Sequence, residues 1–295
     1  MKKIIFTLTT MILTACSLAC CKASSSKAQA STESKEAAVA AEELIVNTDS
    51  CVEEEGNSLR TCIKVDYPTE PTQLSQNVRK ILNQELGNLL LSKINGEEVH
   101  NIPIYTGDLA NGNTVLKYYT DTNYGYLSKQ LKDIKDADPK ADISMSYDVV
   151  LSKKEETDSY ITYNSYTYAF LGGAHGSCSD YSFNINKATG KVLSLSVDTT
   201  QIQKLQPILR KGVLHYLTAQ DPDTQYTDST LNEYLFIDNG IISLPSHTPY
   251  LAKDGVHFIY QQYEIGPYAM GMVEFTVPYS DIKAYLTSEA LQLLK

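Results

Sequence analysis

Two segments of the 295-residue chain hold the side chains best placed to do chemistry. The first is Tyr166-Thr167-Tyr168-Ala169-Phe170-Leu171-Gly172-Gly173-Ala174-His175-Gly176. It ends an aromatic run in a glycine loop and sets an imidazole, His175, at the tip. Gly172, Gly173 and Gly176 permit positive φ, a sharp reversal and the close approach of another chain. The second is Tyr260-Gln261-Gln262-Tyr263-Glu264-Ile265-Gly266-Pro267-Tyr268-Ala269-Met270-Gly271. Here the Glu264 carboxylate follows a strand and sits between Tyr263 and Pro267-Tyr268. An imidazole and a carboxylate displayed among aromatic rings can exchange a proton or hold a partner surface.

Hydrolysis needs a nucleophile, a base and a group that orients the base. Ser177 or Ser179 with His175 and Glu264 would supply the residue types. The chain has no Gly-x-Ser-x-Gly elbow, His-Glu-x-x-His or phosphate loop. His175, Cys178 and Asp180 are metal-ligand types within six residues, but they match no zinc spacing, and no metal or cofactor is expected. His100, His215, His247 and His257 are isolated and read as surface or packing residues. The plainer reading is that the glycines only turn the chain, His175 bonds a neighbouring loop and Glu264 accepts backbone N–H groups. Binding is therefore favoured over catalysis, with an envelope hydrolase and a structural or adhesive protein as the alternatives.

The start of the chain bears on compartment. Lys2 and Lys3 precede a short apolar run that ends in Leu13-Thr14-Ala15-Cys16. That is the pattern of a signal peptide over 1–15 followed by a lipidation site at Cys16, with an acyl anchor holding the protein to a membrane. Twelve helical residues reach only about 18 Å against a hydrocarbon core of about 30 Å. Cleavage after Ala30 would instead release a secreted protein. Residues 16–42, rich in Ser, Ala and Lys, read as a flexible tether. The expected location is the cell envelope, facing the periplasm or the cell surface. In such an oxidising place Cys51 and Cys62, flanking a polar turn, are expected to close a hairpin by a disulfide.

The net charge is −10, and removal of residues 1–15, which carry Lys2 and Lys3, takes it to −12. Such a chain repels phosphate backbones, which argues against nucleic acid, and attracts basic proteins. A monomer is expected.

Elements to hold the two segments can be read from hydropathy periods. Ile63, Val65 and Tyr67 alternate as a strand, and 75–92 repeats at helical spacing with Ser75 as its cap. A second helix covers 114–136. Residues 142–151, 159–170 and 181–185 alternate as strands joined by short turns, an antiparallel meander. A helix follows from Thr200, with Pro207 kinking or restarting it. Asp238-Asn239-Gly240 and Lys253-Asp254-Gly255 are hairpin signals, strands cover 256–263 and 272–278, and a helix from Ser280 to Leu294 closes the chain. The fold class is α+β, with antiparallel sheets packed against helices in two sequential halves, 43–150 and 151–295.

The two segments, together with Asn184–Leu195 and the closing Val277-Pro278-Tyr279, resemble the RsiV-type extracytoplasmic domain over residues 160–290. The shared pattern is a Gly-Gly-Ala-His-Gly loop, a Thr-Gly-Lys turn and Tyr-Glu-Ile-x-Pro-Tyr before a final Pro-Tyr. Val65-Asp66-Tyr67-Pro68 and the helix from Ser75 resemble its companion module, of the type found beside peptidoglycan deacetylases, over 44–150. The resemblance implies an envelope protein, and one branch of that family binds lysozyme. It points to lysozyme or peptidoglycan as the partner, and to Gly172, Gly173, His175, Gly176, Tyr263, Glu264, Pro267 and Tyr268 as candidate binding-loop residues.

Overall fold

The computed structural model describes residues 42–89, 93–94, 97–98 and 103–295. The signal, Cys16, Ala30, nearly all of the tether and His100 lie outside the described residues.

Strands β1 (Val46–Glu55) and β2 (Leu59–Pro68) form the first hairpin, turning at Gly56 with φ +53°. Helix α1 (Gln73–Leu89), the two-residue strands β3 (Lys93–Ile94) and β4 (Glu97–Glu98), and helix α2 (Gly112–Ala137) follow. Then come β5 (Met145–Glu156), β6 (Tyr160–Phe170), β7 (Ser177–Asn186) and β8 (Lys191–Val192). The last third holds α3 (Ile202–Gln220), α4 (Leu231–Tyr234), β9 (Tyr250–Ala252), β10 (Gly255–Tyr260), β11 (Val273–Val277), α5 (Tyr279–Ile282) and α6 (Ser288–Leu293).

The fold is α+β. A six-stranded sheet runs β1-β2-β5-β6-β7-β8 and a three-stranded sheet runs β11-β10-β9. The meander β5–β8 is antiparallel, as the alternation predicts. β2 and β5 pair in parallel, joined through α1 and α2, because a connection carrying two helices can return the chain in the same direction. Along β5 the residues Met145, Tyr147, Val149 and Leu151 all face inward. They pack with Ile63, Val65, Leu82, Leu86, Val115 and Leu116 into a first core between the sheet and helices α1 and α2.

A second core forms where α3, the small sheet, α5 and α6 come together, and Tyr160 of β6 joins it. This layer covers one end of the outer face of the large sheet. Buried Asn184 of β7 ties the two layers: its Nδ2 donates to Leu251 O at 2.8 Å, and Leu251 N donates to its Oδ1 at 2.7 Å. Position 150 lies within β5, which hydrogen-bonds β2 on one side and β6 on the other. The packing changes from one core to the other near residue 190 instead, because the sheet carries the first core through to β7.

Several local expectations are corrected. The helix after Pro71 is capped by Thr72, whose Oγ1 accepts from Ser75 N at 3.1 Å, and Ser75 itself is buried inside it. α3 runs unbroken through Pro207. Asn239 and Gly240 do turn the chain with positive φ, but they join no strands. The closing helix is broken, because Val197 forms a β-bridge with Leu286 and Thr287 then caps a fresh turn. The β1–β2 register pairs Cys51 with Ile63 and Val52 with Cys62. Directly paired residues share a face and neighbours alternate, so Cys51 and Cys62 project from opposite faces. The expected disulfide does not form, and both thiols are free. Among the described residues no helix is long and apolar enough to cross a membrane.

Candidate functional site

The two loops picked out by residue type meet in space. The chain leaves β6 through Gly172, whose φ is +80°, and returns into β7 past Gly176. A Cβ on Gly176 would lie 2.5 Å from the Tyr168 ring, so only glycine lets the loop fold back over that strand. Tyr268 then locks the second loop to the first. Its hydroxyl donates to Gly176 O at 3.0 Å, and its ring stacks on His175 with centroids 4.1 Å apart. Tyr263 lies beside it, 5.6 Å between ring centroids. Tyr263 is 57% exposed, and its backbone sits at φ +65°. That left-handed conformation is uncommon for a bulky residue, and its cost of about 1 kcal/mol or more is usually tolerated only where a site demands it. Pro267, Gly173 and His175 are exposed along the same ridge.

Below the ridge the contacts are structural. The Gln261 side chain completes the β7 edge, accepting from Asp180 N at 3.0 Å and donating to Asp180 O at 2.7 Å. Gln262 accepts from Cys178 N at 3.3 Å. Glu264 accepts from Gln261 N at 2.7 Å and from Ser246 N at 2.5 Å. His175 Nδ1 meets only the carbonyl of Gly176, at 2.9 Å. Asp180 accepts from Asn164 at 2.5 Å. His175, Glu264 and the serines 177 and 179 are therefore not wired to one another. Glu264 serves as a clamp on two loops, the role its carboxylate fills by accepting backbone N–H groups.

The clamp positions a residue that its isolation in the sequence marks only as surface or packing. By holding Ser246, Glu264 fixes the next residue, His247, whose ring stacks on Tyr181 at 3.6 Å and 6°. Tyr181 Oη donates to Glu85 of α1. Burial pushes the Glu85 carboxyl up, opposed by that hydrogen bond, and burial pulls the His247 imidazole down, opposed by Glu264. These three residues border a cleft of about 580 Å³ between α1, the inner sheet face and the loop around His247. They are 96 and 66 positions apart, and only the fold brings them together. A further cleft, of about 670 Å³, lies between α3 and the small sheet and carries charge of both signs from Lys211, His257, Glu274 and Asp281. In it His257 Nε2 is 2.7 Å from Asp254 and Nδ1 is 3.2 Å from the Thr276 hydroxyl.

The second loop and the clamp fall inside a stretch that matches a known family. Residues 195–280 match the family described as a protein of unknown function, DUF3298. A member of the DUF3298 family from Bacteroides fragilis, known from its crystal structure, aligns with 84% of this chain and 96% of its own at TM-score 0.63 and 21% identity. A DUF3298 family protein from Pseudomonas aeruginosa PAO1 aligns with 85% of this chain and 98% of its own at TM-score 0.55 and 16% identity. At those identities the likeness is one of fold. No curated protein matches the chain.

Proposed function

We propose that the chain is the binding ectodomain of a bacterial cell-envelope lipoprotein, anchored through Cys16, and that its joined loops grip a basic wall-acting protein such as lysozyme without catalysing a reaction. In this reading residues 160–290 are of the RsiV type and 44–150 are its companion module. The observation that carries it is the lock of Tyr268 on Gly176 and His175, which holds an exposed aromatic ridge rigid ahead of any partner. Pre-ordered aromatic side chains lose little entropy on binding, so they serve well as anchors. A ridge fits a concave partner, and the net charge of −12 left once residues 1–15 are removed draws a positively charged one. The bonding of His175 to the Gly176 carbonyl, with no hydrogen bond to Ser177 or Ser179, and the use of Glu264 as a clamp favour binding over the hydrolase alternative.

Calorimetric titration of the protein with a c-type lysozyme at low and high salt tests this. The expected result is saturable binding near one to one that weakens with salt. Tyr268→Ala should lower the affinity by about 2 kcal/mol, the size of a contact hot spot. Absence of saturable heat at low salt would remove lysozyme as the partner, and peptidoglycan fragments would become the next ligands to titrate.

A further inference from the structure

The cleft beneath His247 is separate from the exposed ridge and has its own chemistry. Its volume, about 580 Å³, is that of a small-ligand pocket. Among the described residues that line the cleft, Glu85 is the one carboxyl, and none is a lysine or an arginine. Tyr181, Tyr147 and Phe183 also line it, one face of the Tyr181 ring being covered by His247. Burial lowers the His247 imidazole, against the opposing pull of Glu264, so it carries less positive charge near neutrality than a free imidazole. The hydroxyls of Thr167, Ser179 and Ser246 also line the cleft and make no hydrogen bond to another described residue. Thr167 and Ser179 stand directly opposite in the β6–β7 register, and Ser179 shares a face with Tyr181 two residues on.

The geometry points to a binding site for a small hydroxylated primary amine, its ammonium paired with Glu85 and its hydroxyls held by Thr167, Ser179 and Ser246. An anion would meet the Glu85 charge with nothing to offset it. A neutral polyol would satisfy the hydroxyls and leave the carboxylate without a counter-charge. A cation with hydroxyls answers both needs.

Tyr181 of β7 donates to Glu85, and the other titratable groups among the described residues that line the cleft are Tyr147 of β5, whose hydroxyl donates to Leu89 O, and His247 of the loop. Burial raises both phenols, Tyr147 to about 12, so neither ionises near neutral pH. Burial likewise raises Glu85, so it takes up its proton at a higher pH than a free glutamate does. An ammonium binds the carboxylate form only. Affinity should therefore rise with pH through the Glu85 titration, level off above it, and release a proton in that range.

The test is calorimetric titration of the protein with glucamine, an open-chain amino polyol, and with sorbitol, which carries a hydroxyl where glucamine has its ammonium. Glucamine should bind roughly tenfold or more tightly than sorbitol, the yield of one charge-assisted hydrogen bond. Glu85→Gln keeps the shape and should erase that preference without lowering the melting temperature. Ser179→Ala should weaken glucamine roughly threefold or more while leaving the preference in place. Equal affinity for the two probes, no saturable heat from either, a preference that survives Glu85→Gln, or a Ser179→Ala protein that binds glucamine unchanged would overturn the assignment. Each readout is independent of lysozyme, so this site and the ridge stand or fall separately.

Discussion

Tyr263 shows how one residue can be strained for display. A bulky side chain at φ +65° costs folding energy, and its ring gains little in return because the residue is 57% exposed. Asn tolerates left-handed backbone better than any other residue with a Cβ. Tyr263→Asn should therefore leave stability unchanged or raise it by up to about 1 kcal/mol in chemical denaturation. The same variant should bind the basic partner more weakly, by about tenfold, if the ring is a contact. A variant both less stable and equally tight would mean that Tyr263 is a packing residue and the positive φ incidental. Glu264, next along the chain, is explained in full by its two backbone N–H partners. The type of a residue announced that something polar happens at this turn. It did not distinguish a ligand contact from a clamp, because a carboxylate does either with the same atoms.

At the scale of elements, close approach decides what is tolerated. Gly212 sits in the middle of α3, where glycine is normally a cost of about 1 kcal/mol against alanine. A Cβ there would lie 2.3 Å from the Phe275 ring, which is itself stacked on Phe258 at 5.1 Å. The small residue lets α3 lie flat on β11. Gly212→Ala should consequently lower stability by about 1–3 kcal/mol despite its better helix propensity, seen as a melting temperature several degrees lower. A rise in melting temperature would show that the ring moves aside cheaply. The strands β5, β6 and β7 and the helices α1 and α2 were legible in the sequence, because each carries its own period and buries one face. The parallel pairing of β2 with β5 was not, since contacts between segments more than 80 residues apart leave no local pattern. The same holds for Glu85, Tyr181 and His247. The closing helix failed for a different reason: the Val197–Leu286 bridge outcompetes a helical spacing that the residues themselves support.

At the scale of the whole molecule the question is how two cores behave as one. Between them lies the outer face of β6 and β7, where Thr162 and Asn184 are buried polar residues against Leu251. Asn184 is 2% exposed, and its amide pairs with both the N–H and the C=O of Leu251, as a neighbouring strand would. Removing it leaves the buried Leu251 N–H without a partner and its carbonyl with only the long 3.5 Å bond from the Thr162 hydroxyl, at about 1–3 kcal/mol for each group so weakened. Asn184→Ala should therefore cost about 2–5 kcal/mol and loosen the C-terminal layer from the sheet. Scanning calorimetry should show one transition for the parent protein and a broadened or split transition for the variant, the layer of α3 and β9–β11 melting first. The ridge belongs to both layers, because His175 leaves the large sheet and Tyr268 comes from the small one. Partner binding should consequently fall in Asn184→Ala even though no contact residue has changed. A variant that melts in one sharp step and binds normally would place the coupling elsewhere, in the Gln261 bonds to Asp180.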